Sequence, residues 1–171
     1  MDEVDRIVAA WRHERPDLDV APMEVLSRVS RLARQLDLAR RSTFKEHGLE
    51  VWAFDVLSAL RRAGSPYQLS PSRLITEMMV SSGTMTNRID RLVTSGLVTR
   101  HPDPGDRRGI LVQLTTVGQE KVDAALAELL EHEAALLRDL DSAQQDELTR
   151  LLRVLAVGFE TRDEDEETPE A

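Results

Sequence analysis

Residues 65–115, SPYQLSPSRLITEMMVSSGTMTNRIDRLVTSGLVTRHPDPGDRRGILVQLT, constrain the fold of this chain more than any other stretch. They hold two short helical patterns, an apolar run, a loop rich in Gly, Pro and charge, and a second apolar run. Ser70 followed by Pro71 predicts a helix start, with a side-chain cap and a first position that needs no amide hydrogen. Leu74, Ile75 and Met78 then point inward. Ser81, Ser82 and Gly83 break the pattern before a second helix over 84–94, whose buried side is marked by Met85, Ile89 and Leu92 or Val93. Gly96 ends it. Two strand-like runs over 97–99 and 110–114, joined by HPDPGDRRG, predict a β-wing. This order of elements is that of a winged helix-turn-helix.

The remainder reads as amphipathic helix. Val4, Ile7, Val8 and Trp11 predict a short helix over 2–14, interrupted by ERPDLD, where Pro16 disfavours helix before it. Pro22 opens a long helix to about residue 47, with Val25, Val29, Leu32, Leu36 and Leu38 or Ala39 along one side. Gly48 terminates it, and residues 49–63 form the next helix, closed by Gly64. Thr115 caps a helix over 116–138. Asp141 and Gln144 resemble a capping box ahead of a final helix through Leu148, Leu151, Leu152, Leu155 and Phe159. With 171 residues and 41% apolar composition the chain buries one real core, so one folded domain is expected. The expected layout is an added N-terminal helix and linker over 1–19, a winged helix-turn-helix with a helical dimerisation region over 20–160, and an acidic, disordered tail over 161–171. The fold class is mainly α with a β-wing, a dimeric winged helix-turn-helix, because long apolar stripes suit an interface and DNA readers of this size commonly use paired half-sites.

A net charge of −9 looks wrong for a nucleic-acid binder until it is located. Seven acids fall within residues 160–171 against Arg162 alone, whereas residues 82–108 hold five Arg against three Asp. Recognition depends on that local balance, not on the total. No Cys is present, which removes disulfides and thiolate redox sensing. The N-terminus lacks a basic region followed by a long apolar run, and no run of about 18 apolar residues occurs, so a soluble, cytoplasmic protein without a membrane partner is expected.

On the second short helix Ser82, Thr84, Thr86, Asn87, Arg88 and Arg91 can reach base edges or phosphates: Asn matches adenine in two hydrogen bonds, and Arg matches guanine. Double-stranded operator DNA is the expected partner. The wing adds Arg107 and Arg108, which can enter a narrow minor groove, and one of the pair is expected to bind Asp106 instead, with Arg108 slightly favoured for the groove. The bland alternative is an amphipathic surface helix with capping hydroxyls.

The pattern DPGDRRGILVQLTTVG over 103–118, preceded by SSGTMTNRIDRLVTSGLVTR, resembles the wing and recognition helix of the MarR family of winged-helix transcription regulators, and the order of the other helices extends the likeness over about residues 20–160. The resemblance implies a homodimer that binds a pseudo-palindromic operator, represses neighbouring genes and leaves DNA when a small anionic ligand binds. The extra N-terminal helix is similar to that of the family's urate-responsive branch. That likeness implies a ligand site at Trp11, Asp55, Arg88 and Arg100. The chemistry is coherent, since an indole can pack on a planar anion and Arg groups can neutralise its oxygens. Asp55 would accept ligand N–H groups or hold an Arg. A sister branch responding to citrate or aconitate shares the extra helix, so a tricarboxylate is the alternative effector.

Three classes of function remain to be weighed: a ligand-responsive repressor, a DNA-binding protein without an effector in which the same four residues hold the fold, and an enzyme. The enzyme is weakest. His13, His47, His101 and His132 are dispersed, no metal-ligand cluster or Gly-rich phosphate loop occurs, and no nucleophile, base and orienting group present themselves. No cofactor and no metal are expected.

Overall fold

The computed structural model describes residues 1–166; the side chain of Arg107 and those from residue 159 onward lie outside the described set, as does the end of the expected acidic tail. Among the described residues seven helices and three strands follow one another: α1 (Glu3–Glu14), α2 (Ala21–Glu46), α3 (Val51–Arg62), β1 (Gln68–Leu69), α4 (Pro71–Met78), α5 (Ser82–Thr94), β2 (Val98–Asp103), β3 (Asp106–Leu114), α6 (Thr116–Leu137) and α7 (Ser142–Glu166). The chain divides into two compact units, residues 1–129 and residues from 130 onward. The boundary falls within α6. α7 also continues to Glu166, so helix covers part of the segment read as tail.

The first unit is built on one core. Phe44 at the end of α2 stacks on Phe54 of α3, with ring centroids 4.0 Å apart and 16° between planes. Leu57 and Leu60 from α3, Leu74 from α4 and Met85, Ile89 and Leu92 from α5 complete it, together with Val98 and Val112 from the sheet and Val122 from α6. These are the apolar positions of each element's helical or alternating pattern, which is why the periodicity located them. The sheet is antiparallel with order β1-β3-β2. Gln68 pairs with Gln113 and Leu69 with Val112, so two residues after the Ser65-Pro66 turn add a third strand that the sequence did not reveal.

The helix-turn-helix differs from expectation in two places. α5 begins at Ser82, because Ser81 caps it by accepting the Thr84 amide at 3.3 Å. Ser82 and Gly83, read as a break, are its first turn. The wing strands are longer than the apolar runs suggested: β2 reaches Asp103 and β3 starts at Asp106. Polar residues at a wing tip leave no hydrophobic alternation to read, yet backbone pairing continues through them. Two carboxylates close the tip, Asp103 accepting the Gly105 amide at 2.8 Å and Asp106 accepting the Arg108 amide at 2.9 Å.

The wing is fastened to α6 through Thr115. Its hydroxyl accepts the Gly118 amide at 3.0 Å and contacts the Gly96 carbonyl at 2.8 Å. Gly118 is required here, since a Cβ would meet the Leu97 carbonyl oxygen at 2.0 Å.

α1 lies on α2 over a separate small cluster of Val4, Val8, Val20 and Met23. Its N-terminus carries a reciprocal capping box between Asp2 and Asp5. Arg28 then binds both carboxylates, Arg31 binds Glu3 at 2.5 Å and Arg12 binds Glu24 at 2.5 Å. The apolar stripe of α2 stays open: Val25, Leu26, Val29, Leu32 and Leu36 are all exposed. In the second unit Asp141 and Gln144 exchange backbone and side-chain hydrogen bonds at 2.9 and 3.0 Å, starting α7. Leu148, Leu151, Leu152 and Leu155 of that helix are exposed as well.

Candidate nucleic-acid interface and effector site

The outer face of α5 is polar because its apolar residues are turned to the core at Met85, Ile89 and Leu92. Ser82, Thr84, Thr86, Asn87 and Arg91 are exposed on it, and Arg88 is partly buried. Two hydroxyls are engaged locally: Thr86 donates to the Ser82 carbonyl at 2.9 Å, and Thr84 lies 2.9 Å from the Ser81 hydroxyl. Asn87 stands outward between them. On the wing Arg108 is exposed, with Asp106 bound to its amide; Arg107 falls outside the described side chains.

The four residues assigned to a ligand site do not meet within one chain. Asp55 is half-buried on α3. Arg40 of α2 reaches it at 3.8 Å, and Arg88 and Arg62 are close enough to act on it electrostatically. Burial pushes the Asp55 carboxyl above the usual carboxylate range, against the pull of Arg40, Arg88 and Arg62. Arg100 is bound elsewhere, its Nη2 donating to Asp90 of α5 at 2.6 Å. Trp11 is 47% exposed on α1. Its neighbour Arg12 is tied to Glu24, whereas Asp55 is tied to Arg40, and these two anchors lie about 24 Å apart along α2 at the helical rise of 1.5 Å per residue.

The aromatic group that does meet Arg88 is Trp52, one turn before Asp55 on α3. The Arg88 guanidinium lies 5.7 Å from its ring centroid and that of Arg91 lies 4.7 Å away. Glu50 completes the group. It holds the N-cap position of α3 but makes no capping bond there; its carboxylate instead accepts from Trp52 Nε1 and from Arg91 Nη2, the latter at 2.5 Å. Sequence reading missed Trp52, Glu50 and Arg40. The signal available was the Trp52 to Asp55 spacing, which places an aromatic ring and a carboxylate on neighbouring positions of one helix. Two further polar atoms, Arg40 Nε and Ser58 Oγ, are buried without a hydrogen-bond partner among the described residues, and Ser58 lies one turn beyond Asp55.

The MarR family sequence profile matches residues 47–109, the span from the end of α2 to the wing. Over 150 residues, 88% of this chain and 90% of the relative, the sequence is 39% identical to the HTH-type transcriptional regulator PecS of Dickeya dadantii (strain 3937). The chain belongs to the MarR family. As a MarR-family protein it superposes on Sco5413, a MarR family transcriptional regulator from Streptomyces coelicolor, with a TM-score of 0.66 and 29% identity over 84% of this chain and 98% of that one. It is also similar to a mutant MarR from E. coli complexed with operator DNA, with a TM-score of 0.60 and 26% identity over 81% and 99% of the two chains. The PecS and Sco5413 relatives are named as transcriptional regulators. Among the described residues no helix is long and apolar enough to cross a membrane.

Proposed function

We propose that this MarR-family protein is a cytoplasmic, ligand-responsive repressor that binds a pseudo-palindromic operator as a homodimer and is released by a small anion, with urate the first candidate. One observation carries the reading. The helix that presents Ser82, Thr84, Thr86, Asn87 and Arg91 outward also carries Arg88, which stands within electrostatic reach of the half-buried Asp55. A ligand seated at Asp55 and competing for Arg88 would favour one position of α5 over another, and a difference in ligand affinity between two positions is what couples a site to DNA binding. The operator-bound relative supports the DNA part of this reading. The exposed stripes on α2 and α7 support a second copy, since contiguous apolar surface marks an interaction face.

Asp55 favours a ligand that offers N–H groups, because a carboxylate accepts hydrogen bonds and repels another carboxylate. Arg40, 3.8 Å from Asp55, and Ser58, one turn along α3, carry buried donors without a partner among the described residues, which ligand oxygens would satisfy on entering there. Urate meets both needs. The surplus of Arg40, Arg62 and Arg88 around Asp55 favours a second reading, a tricarboxylate such as citrate or aconitate. Trp11 and Arg100 would join such a site only if the second copy or a rearrangement brought them to it. The test is operator binding titrated with urate and separately with citrate at fixed pH and salt. Release by urate supports the first reading and release by citrate alone supports the second. Specific DNA binding insensitive to both would leave a DNA-binding protein without either effector.

A further inference from the structure

We propose that the open groove between the start of α3 and the exposed face of α5 is a docking site for a DNA backbone phosphate, in which Glu50 holds Arg91 until the phosphate displaces it. This rests on the operator-binding reading above and goes beyond it by assigning roles to Glu50 and Trp52, which lie outside the helix-turn-helix and the wing.

The groove is lined by Glu50, Trp52, Thr84, Asn87, Arg88 and Arg91, with Gly83 at its edge and a volume of about 560 Å³. Its chemistry fits a phosphate in three ways. Two guanidiniums border it, and Arg presents paired donors that match phosphate oxygens. Trp52 keeps both guanidiniums near the groove through its ring, 4.7 Å from Arg91 and 5.7 Å from Arg88. Gly83 in the first turn of α5 has nothing within 4 Å of where its Cβ would stand, so a backbone group can approach the helix N-terminus closely.

In this arrangement the anion bound to Arg91 is Glu50, at 2.5 Å. The Glu50 carboxyl is held below the usual carboxylate range by Trp52 and Arg91, so it stays ionised at neutral pH. Both partners are about half exposed, and an exposed pair of this kind is weak enough for a polyanion to displace. Exchange replaces one anion by another on Arg91 and leaves Glu50 without its partner. Glu50 therefore lowers operator affinity and fixes which way Arg91 faces in the free protein.

The salt dependence of binding separates this role from a structural one. Each phosphate neutralised by a free Arg contributes about 0.9 to the slope of log affinity against log salt. An Arg that leaves an internal carboxylate gains less, because the carboxylate then recruits a cation. The experiment measures operator binding by fluorescence anisotropy across a salt series for the full chain and for Glu50→Gln, Arg91→Gln and the double variant. Expected is severalfold tighter binding by Glu50→Gln with a slope steeper by up to about one. Arg91→Gln weakens binding and flattens the slope, and the double variant behaves as Arg91→Gln alone. In a Trp11→Phe background, Trp52 emission changes when DNA is added. Glu50→Gln with wild-type affinity and slope, or effects of the two substitutions that simply add, would overturn the proposal while leaving operator binding intact. Wild-type protein that shows no specific DNA binding would instead overturn the reading on which it rests.

Discussion

Arg40 approaches Asp55 to 3.8 Å, too far for a good hydrogen bond, and the Nε of the same guanidinium is buried without a partner among the described residues. A half-buried carboxylate is thus surrounded by positive charge that does not fully satisfy it. The raised Asp55 pKa expresses this: burial outweighs Arg40, Arg88 and Arg62 together. A carboxyl whose pKa is higher folded than unfolded contributes stability that is full below the unfolded value and is lost as pH rises through the folded value.

Asp55→Asn is therefore expected to melt at a higher temperature than the wild type at pH 7, with the gap closing as pH falls into the carboxylate range. The same variant should keep operator affinity and lose release by the effector. Thermal melts across pH and a urate titration on the DNA complex check both halves. A variant less stable at neutral pH, or released as the wild type is, would count against a strained effector carboxylate.

At the foot of the wing, Gly118→Ala places a methyl group 2.0 Å from the Leu97 carbonyl oxygen. Both atoms are fixed by backbone, so the clash is relieved only by moving α6 away from the wing. A loss of about 1–3 kcal/mol is expected, as for other overpacked sites. Urea denaturation measures it, and a midpoint within error of the wild type would show that α6 shifts freely.

Substituting Leu151 and Leu155 together by Glu tests the interface. Both are exposed on α7, so their removal takes nothing from the core. Sedimentation of the wild type as a dimer and of the variant as a monomer is the expected result. A wild type that sediments as a monomer would remove the homodimer from the proposed function.

Arg108 on the wing is exposed and Asp106 is occupied by its amide, so its side chain is available to DNA. Arg108→Ala should weaken operator binding and lower the salt slope by about one. If Arg108 instead reads a narrow groove, the loss will be greatest on operators with A·T tracts beneath the wing. Equal binding by variant and wild type at every salt concentration would place the wing tip off the DNA.

Much of the candidate site was legible because its residues announce themselves by type and spacing. Ser82, Thr84, Thr86, Asn87 and Arg91 follow from the apolar positions of α5, since whatever is not buried on such a helix faces outward. Of the four residues assigned to a ligand site, Arg88 acts on Asp55 electrostatically, whereas Arg100 is bound to Asp90 and Trp11 stands apart on α1. Trp52 was missed because in the sequence it is one more bulky residue at the start of an apolar helix, and nothing local says that α5 will lay two guanidiniums by its ring.

The sequence by itself determined several helix starts. Ser70-Pro71, Thr115 and the Asp141 to Gln144 pair satisfy amides within a turn of themselves, so their effect depends on residues three or four apart and survives in any tertiary setting. Only the tertiary structure decided which of the two tryptophans meets the basic residues of α5, how far the wing strands run, and which carboxylate holds which guanidinium. Those outcomes depend on groups distant in sequence, such as Glu50 and Arg91 or Arg61 and Asp123, brought together by packing of the core. Long, flexible charged side chains accept many partners at nearly equal energy, so the choice among them belongs to the fold that places them.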